Sequence, residues 1–184
     1  GFQADDFVVL YSGSIGEKQG LDALIDIAIE CQGISNLKFL ICGTGPYKQN
    51  LQTQCEEKGA SNVSFLPLQE MNVFNEFLNM ADLHLVLQKA EAADLVMPSK
   101  LTTILAAGGL VLVTAFKGTS LHDVIHSHEM GIIIPPEDNK ALKEAIVEAV
   151  SNEYVNERKN AREYAEKYLD QEAILSAMES KLLK

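Results

Sequence analysis

The sequence has few basic residues for its length. Of its 184 residues, 15 are Lys or Arg and 26 are Asp or Glu, which gives a formal net charge of −11. A general nucleic-acid partner needs a basic surface, so this charge argues against one. A small anionic ligand stays compatible with it, because a few local donors outweigh distant acidic groups that salt screens.

Paired cysteines, long apolar runs and several well-known motifs are also missing. The three cysteines, Cys31, Cys42 and Cys55, have no C-x-x-C or metal-ligand spacing, so we expect reduced, mostly buried thiols, as in a cytosolic protein. The longest apolar stretch, "ILAAGGLVLVTAF", is too short to cross a bilayer and is interrupted by Gly108 and Gly109. No G-x-G-x-x-G, P-loop or Ser-His-Asp pattern occurs, which disfavours a dinucleotide oxidoreductase and a triad hydrolase.

The sequence does contain a regular alternation of short apolar runs and helical patterns. The runs predict strands at Phe7–Gly13, Leu37–Gly43, Val63–Leu66, Leu83–Leu87, Leu110–Thr114 and Ile132–Pro135. Helices are predicted at Leu21–Cys31, Tyr47–Lys58, Val73–Met80, Ser99–Ala107, Ser120–His128 and Lys140–Ser151, with a purely helical tail to Lys184. Near-continuous apolar strands are typical of a parallel sheet covered on both faces. We therefore predict one α/β domain, a Rossmann-like doubly wound parallel sheet of about six strands with C-terminal helices.

Such sheets bind ligands outside the carboxyl ends of their strands, and the first strand ends there in a small-residue loop. In "VVLYSGSIGEKQG", backbone N–H groups around Gly13 and Ser14, with the Lys18 ammonium, could surround an anion. The alternative is a tight turn with Lys18 in solvent. The second strand ends in a similar turn, where Gly43 and Gly45 permit close backbone approach.

A second anion site is predicted where "MPSKLTTILAAG" begins a helix. Pro98 fits just before or at the first turn and Ser99 is a natural N-cap, so the N–H groups of Ser99, Lys100 and Leu101 would be free at the positive end of the helix dipole. An ordinary capped helix with an exposed Lys100 is the alternative. Two such helix starts on one sheet edge favour a diphosphate ligand.

Other polar residues give weaker signals. Glu91 and Asp94 follow the fourth strand and could hold sugar hydroxyls or simply be solvated. His122 and His126 share a helix face and could bind a metal with Asp123, although such residues more often form a polar helix face. His84 lies within a strand and is interpreted as a hydrogen-bonded core residue.

The order of these motifs resembles a known family. "SGSIGEKQGLDALI", "LKFLICGTGPYKQNLQ", "NVSFLPL", "MADLHLVL", "PSKLTTILAAGGLVLVTA" and "GIIIPPEDNKALKEAI" together resemble the C-terminal, donor-binding half of a GT-B glycosyltransferase. The similarity is to the large retaining family that builds bacterial surface polysaccharides, and the "PSKLTTILAAG" form is most similar to enzymes of colanic acid, capsule or O-antigen assembly. It covers essentially all 184 residues.

The resemblance implies a role for each matched position. Lys18 corresponds to the lysine that contacts the nucleotide diphosphate, and Gly13 and Ser14 correspond to the loop beneath that diphosphate. Gly43 and Gly45 correspond to the family's glycine turn. The backbone of Leu66, Pro67 and Leu68 would read the base. Ser99, Lys100 and Leu101 would receive the diphosphate. Lys18 and Lys100 are thus the candidate catalytic cations.

Two departures from the family pattern leave roles unassigned. Ser14 stands where many relatives have arginine, and Lys100 is the candidate to replace that charge. Val96 and Ile104 align with two family glutamates, for which Glu91 or Asp94 could substitute.

The resemblance also implies ligands, partners and location. The expected donor is a nucleotide sugar, with UDP favoured and no metal or other cofactor, and the acceptor is a glycan or a lipid-linked sugar. An N-terminal acceptor domain would be absent from residues 1–184, so the isolated chain would transfer no sugar. That domain would bring a cytoplasmic protein to the inner face of the plasma membrane. Two alternatives stay open: one half of a GT-B sugar-nucleotide epimerase, or a non-catalytic α/β binding module.

Overall fold

A computed structural model describes residues 2–90, 97–172, 174, 175 and 179. In chain order its elements are β1 (Phe7–Ser14), a 3-10 turn (Glu17–Gln19), α1 (Leu21–Glu30), β2 (Leu37–Thr44), α2 (Lys48–Lys58), β3 (Val63–Leu66), α3 (Phe74–Asn79), β4 (Leu83–Val86), α4 (Ser99–Ala106), β5 (Val111–Thr114), α5 (Ser120–Ser127), β6 (Gly131–Ile134), α6 (Asn139–Val150) and α7 (Val155–Tyr168). No helix within the described ranges combines the length and apolar composition that a bilayer crossing requires.

The six strands form one parallel sheet in the order β3-β2-β1-β4-β5-β6. The order reverses beside β1, which pairs with β2 on one side and with β4 on the other. This reversal is the switch point at which doubly wound sheets bind ligands. The predicted fold class is therefore confirmed.

Alternate residues of each strand face two separate helix layers, which explains the near-continuous apolar runs. On one face, β1 residues Val9 and Tyr11 pack with α1, α2 and α6. On the other, Val8 and Leu10 pack with α3, while Val86 of β4 and Val111 and Val113 of β5 pack with α4, α5 and α7. The two layers fix where each loop emerges at the carboxyl edge.

The predicted element boundaries need only small adjustments. The strands β1 and β2 each continue one residue further, to Ser14 and Thr44, because the loops that follow them still pair with each other. Helix α6 begins at Asn139, where the Asp138 carboxylate accepts a hydrogen bond from the Ala141 N–H at 2.9 Å.

Candidate functional site

The loops after β1 and β2 lie directly against each other at the carboxyl edge. The Ile15 N–H donates a 2.8 Å hydrogen bond to the Thr44 carbonyl. A Cβ atom on Gly43 would lie 1.9 Å from the Gly13 carbonyl oxygen, and one on Gly45 would lie 2.0 Å from the Ile15 carbonyl oxygen. These two glycines therefore allow the backbones of the two loops to contact each other. The sequence prediction assigned Gly43 and Gly45 to the ligand site instead.

The β1 loop itself is held from below by Tyr11. The Tyr11 hydroxyl donates a 2.7 Å hydrogen bond to the Ser14 carbonyl, and the Ser14 side chain is exposed. Gly13 has a φ of 141°, a conformation that favours glycine. The backbone of the predicted anion loop is thus held in place, and the side of the loop that carries Ser14 is exposed to solvent.

Lys18 lies in the single 3-10 turn that joins this loop to α1. The turn is closed by the Gly16 N–H, which donates to the Gln19 side-chain oxygen at 3.0 Å. The Lys18 side chain is exposed, and no described residue forms a hydrogen bond or ion pair with its ammonium. An exposed Lys18 at this edge is compatible both with the predicted anion loop and with the alternative of a solvated lysine.

The start of α4 differs in detail from the prediction. Pro98 occupies the N-cap position and Ser99 is the first helical residue, with no side-chain cap, so the interpretation of Ser99 as the cap was wrong. The Leu101 N–H donates to the Pro98 carbonyl at 3.0 Å, and the Leu101 side chain is buried. The N–H groups of Ser99 and Lys100 have no acceptor among the described residues, so two amides rather than the predicted three are free for an anion.

Lys100 brings α4 and the β1 loop together. Its Nζ lies 3.9 Å from the centroid of the Tyr11 ring and would lie 3.5 Å from a Cβ on Gly13. Burial lowers the pKa of Lys100 to about 8, since the charged form loses hydration there. The alternative of a solvent-exposed Lys100 is therefore wrong.

The segment after β3 is tied to β2 by two further contacts. The Lys48 ammonium donates 2.9 Å hydrogen bonds to the carbonyls of both Gly43 and Leu66. The Cys42 thiol donates to the Pro67 carbonyl at 3.0 Å. Leu68 is 61% exposed, and its backbone groups have no partner among the described residues. Of the predicted base-reading segment, Leu68 is thus the residue most open to a ligand.

Lys48 is a site residue that the sequence reasoning missed. Its hydrogen bonds join the glycine turn to the base-reading segment. The available signal was its place just after the "GTGP" turn, where a lysine in the first turn of α2 can reach back to strand-end carbonyls.

A cavity of about 330 Å³ opens at the same edge, on the side of α1 and α6. It contains none of the predicted site residues. Its charged lining is Asp22, Asp26, Glu137 and Asp138 against the single cation Lys89. This surplus of carboxylates repels a diphosphate, so the cavity itself does not suit one.

Several remaining candidates do not contribute to this site. The rings of His122 and His126 stack with their centroids 5.4 Å apart, and His122 pairs with Asp123. Among the described residues, no group of three His, Cys, Asp or Glu side chains could hold a metal. Ile104 is buried in the core, so its position cannot contact a ligand. Three predicted positions, Glu91, Asp94 and Val96, lie outside the described residues.

Taken together, these features define a Rossmann-like α/β domain whose carboxyl edge carries Lys18 and Lys100 beside the switch point. Residues 1–168 match the family described as "Glycosyl transferases group 1", and the chain belongs to that family.

Two curated relatives come from Escherichia coli. The chain is 41% identical over 140 residues to WcaI of strain K12, which is named as a candidate colanic acid biosynthesis glycosyl transferase. It is 28% identical over 151 residues to O-antigen chain mannosyltransferase C. The matches cover 76% and 77% of this chain but only 34% and 36% of the relatives, so the chain spans about a third of their length.

Solved structures of this fold align over most of the chain. A sucrose-phosphate synthase from Thermosynechococcus elongatus has a TM-score of 0.81 at 20% identity, covering 98% of this chain and 46% of that one. Anabaena HepE, crystallised with UDP and glucose, has a TM-score of 0.80 at 18% identity, covering 97% and 48%. At these identities the likeness establishes the fold.

Proposed function

We propose that this chain is the donor-binding half of a glycosyltransferase and holds a nucleotide-diphosphate sugar at its carboxyl edge. The diphosphate would lie between the Gly13–Ser14 loop with Lys18 and the start of α4 with Lys100. One observation carries the proposal: the Lys100 ammonium lies beside Gly13, so the two predicted anion-binding elements form one surface. The base would lie against Leu68.

The chemistry follows from the leaving group. Breaking the bond between sugar and phosphate places negative charge on the departing diphosphate. Ammonium groups and free amides fixed around it stabilise that charge more in the transition state than in the ground state. Lys18 and Lys100 would supply this stabilisation without a metal ion. Retention at the anomeric carbon is part of the proposal through the family resemblance.

The proposed donor is a UDP-sugar and the proposed acceptor a growing surface polysaccharide or a lipid-linked sugar. Support for UDP is that Anabaena HepE was crystallised with UDP and glucose. Support for the acceptor is the colanic acid and O-antigen names of the curated relatives. A cytoplasmic location fits the free, buried state of all three cysteines.

The proposal also includes an N-terminal acceptor domain beyond residues 1–184, through which the protein would reach the inner membrane face. The short share of each curated relative that this chain covers supports it. The apolar side chains of Ile174 and Leu175 are 41% and 51% exposed, as expected of a helix that packs on another domain.

Calorimetric titration of this chain with UDP, UDP-glucose and ADP at fixed salt tests the proposal. We expect UDP and its sugar to bind, and Lys18→Ala to weaken UDP more than uridine. A wild-type chain that binds none of these nucleotides would overturn the proposed donor site. Sugar transfer by residues 1–184 alone would overturn the assignment as one half of the enzyme.

A further inference from the structure

The aromatic ring of Tyr11 supports the Lys100 ammonium from below. Tyr11 is 1% exposed and lies on the face of β1 that packs on α1, whereas Lys100 extends from α4 on the opposite layer. The lysine side chain therefore reaches from the α4 layer to the carboxyl end of β1. Its Nζ ends 3.9 Å from the centre of the Tyr11 ring.

No described side chain competes with the ring for this ammonium. Lys100 forms no ion pair or hydrogen bond with any described carboxylate or carbonyl, and burial alone shifts its pKa. The electron-rich face of a tyrosine attracts a cation, and more strongly where the cation is partly removed from water, as Lys100 is. The ring thus compensates part of the hydration that Lys100 loses, and the donors of the ammonium stay unpaired.

Tyr11 also contacts the other half of the anion surface. Its hydroxyl donates to the Ser14 carbonyl at 2.7 Å, which holds the loop that follows Gly13. One side chain therefore sets the position of a backbone loop and of a lysine from a different helix. Both contribute to the diphosphate surface of the proposed function.

We propose that Tyr11 is a positioning residue that holds the Lys100 ammonium at Gly13 for the donor diphosphate. This rests on the proposed function, because the diphosphate is its ligand. Tyr11 does not itself touch the donor. It acts through Lys100, by the face of its ring, and its hydroxyl fixes the loop.

A double-mutant cycle with UDP as the probe tests this role. We expect Tyr11→Leu and Lys100→Met each to weaken UDP binding about tenfold, and the double variant to bind no more weakly than Lys100→Met alone. Such non-additivity is the signature of one residue acting through the other. Tyr11→Phe keeps the ring and should stay within about threefold of the wild type.

Since a leucine at a fully buried position could impair folding, a second series keeps the shape of the ring. Trifluorophenylalanine at position 11 withdraws electrons from the ring face and is compared with Tyr11→Phe. We expect weaker UDP binding with wild-type Lys100 and unchanged binding in the Lys100→Met background, with cooperative thermal unfolding showing that all four proteins are folded.

The outcomes separate the two proposals. Additive losses in the cycle, or UDP affinity that does not respond to fluorination, would overturn the role of Tyr11 while leaving the donor site in place. A wild-type chain that binds no nucleotide would overturn the donor site, and this role with it.

Discussion

A Cβ atom on Gly43 would lie 1.9 Å from the carbonyl oxygen of Gly13, so the ends of β1 and β2 approach to a distance that only glycine permits. Gly43 also has a φ of 152°, which an L side chain rarely adopts. We expect Gly43→Ala to lower the free energy of unfolding by at least about 2 kcal/mol, because the neighbour is backbone and cannot move aside. Urea denaturation measures the change.

Gly33→Ala is the matched control for that substitution. A Cβ at Gly33 would meet no atom within 4 Å, and its φ is not positive. We expect a change within about 0.5 kcal/mol. Equal stability of Gly43→Ala and Gly33→Ala would contradict the close approach of the two loops.

Removal of the Lys48 ammonium should loosen the base-reading segment. Lys48→Met leaves the Gly43 and Leu66 carbonyls without their donor, and we expect the free energy of unfolding to fall by about 1–2 kcal/mol. Affinity for UDP should fall by about tenfold. Affinity for pyrophosphate, which has no base, should not change. Titration calorimetry with both ligands measures the difference.

The control for Lys48 is Lys140→Met in the first turn of α6, where the lysine side chain is 85% exposed. Its loss removes the same charge without removing a hydrogen bond to the loops and should change neither affinity. Parallel losses of UDP and pyrophosphate binding in Lys48→Met would show that Lys48 acts as a general cation instead.

Loss of Lys18 should affect the transfer rate more than nucleoside binding. In the longer protein that carries the proposed acceptor domain, we expect Lys18→Ala to lower turnover roughly 100-fold, the usual effect of removing one donor to a developing anion. Uridine affinity should be nearly unchanged, because the base segment is intact. Lys18→Arg keeps the charge in a different geometry and should retain partial activity. Wild-type turnover in Lys18→Ala would show that the diphosphate is bound at another strand end.

His84 should make the fold sensitive to acid. The imidazole is buried in the core, as the sequence predicts, where it interacts with the backbone of Leu78. Burial, with the nearby Arg158, lowers the pKa of His84 from 6.5 to about 4. Between those values only the unfolded chain takes up the proton, so stability is complete above pH 6.5 and declines as the pH falls to about 4. The loss corresponds to about 3 kcal/mol.

The measurement is urea denaturation of wild type and His84→Leu at several values of pH from 7.5 to 4. The difference in unfolding free energy between the two should fall by about 3 kcal/mol over this range, whatever its value at pH 7.5. Carboxylates that titrate in both proteins cancel in the difference. The exposed His126, changed to Gln, serves as the surface control. A constant difference between wild type and His84→Leu would mean that His84 is protonated at no cost in the folded protein.

The sequence predicts the fold well because its signals are local. Buried parallel strands such as Leu37–Thr44 are recognisable from composition alone, and their alternation with helices leaves one plausible architecture. The helix start at Ser99 was placed correctly, but its cap was not, since the choice between Pro98 and Ser99 depends on one backbone angle.

The missing parts of the site depend on contacts between distant segments. Tyr11 and Lys100 are 89 positions apart, and nothing in either local pattern indicates that the lysine ammonium lies against the tyrosine ring. Lys48 reaches a carbonyl of β3 that only the β2–β3 pairing brings near. Periodicity identifies the strands of a sheet. The contacts of long flexible side chains, in contrast, depend on residues that become neighbours only in the folded protein.

The short pairing between β1 and β4 has a mechanical consequence. β1 pairs with β2 at eight register positions but with β4 at only two. The β1–β4 junction, which joins the half-sheet β3-β2-β1 to the half-sheet β4-β5-β6, is therefore the shorter of the two pairings of β1. A nucleotide extending from Leu68 to the start of α4 would contact both half-sheets across the β1–β4 junction and stabilise that junction. Ligand binding would then oppose sliding of one half-sheet past the other. Backbone amides of β4 that exchange with solvent when β1 and β4 separate would exchange more slowly.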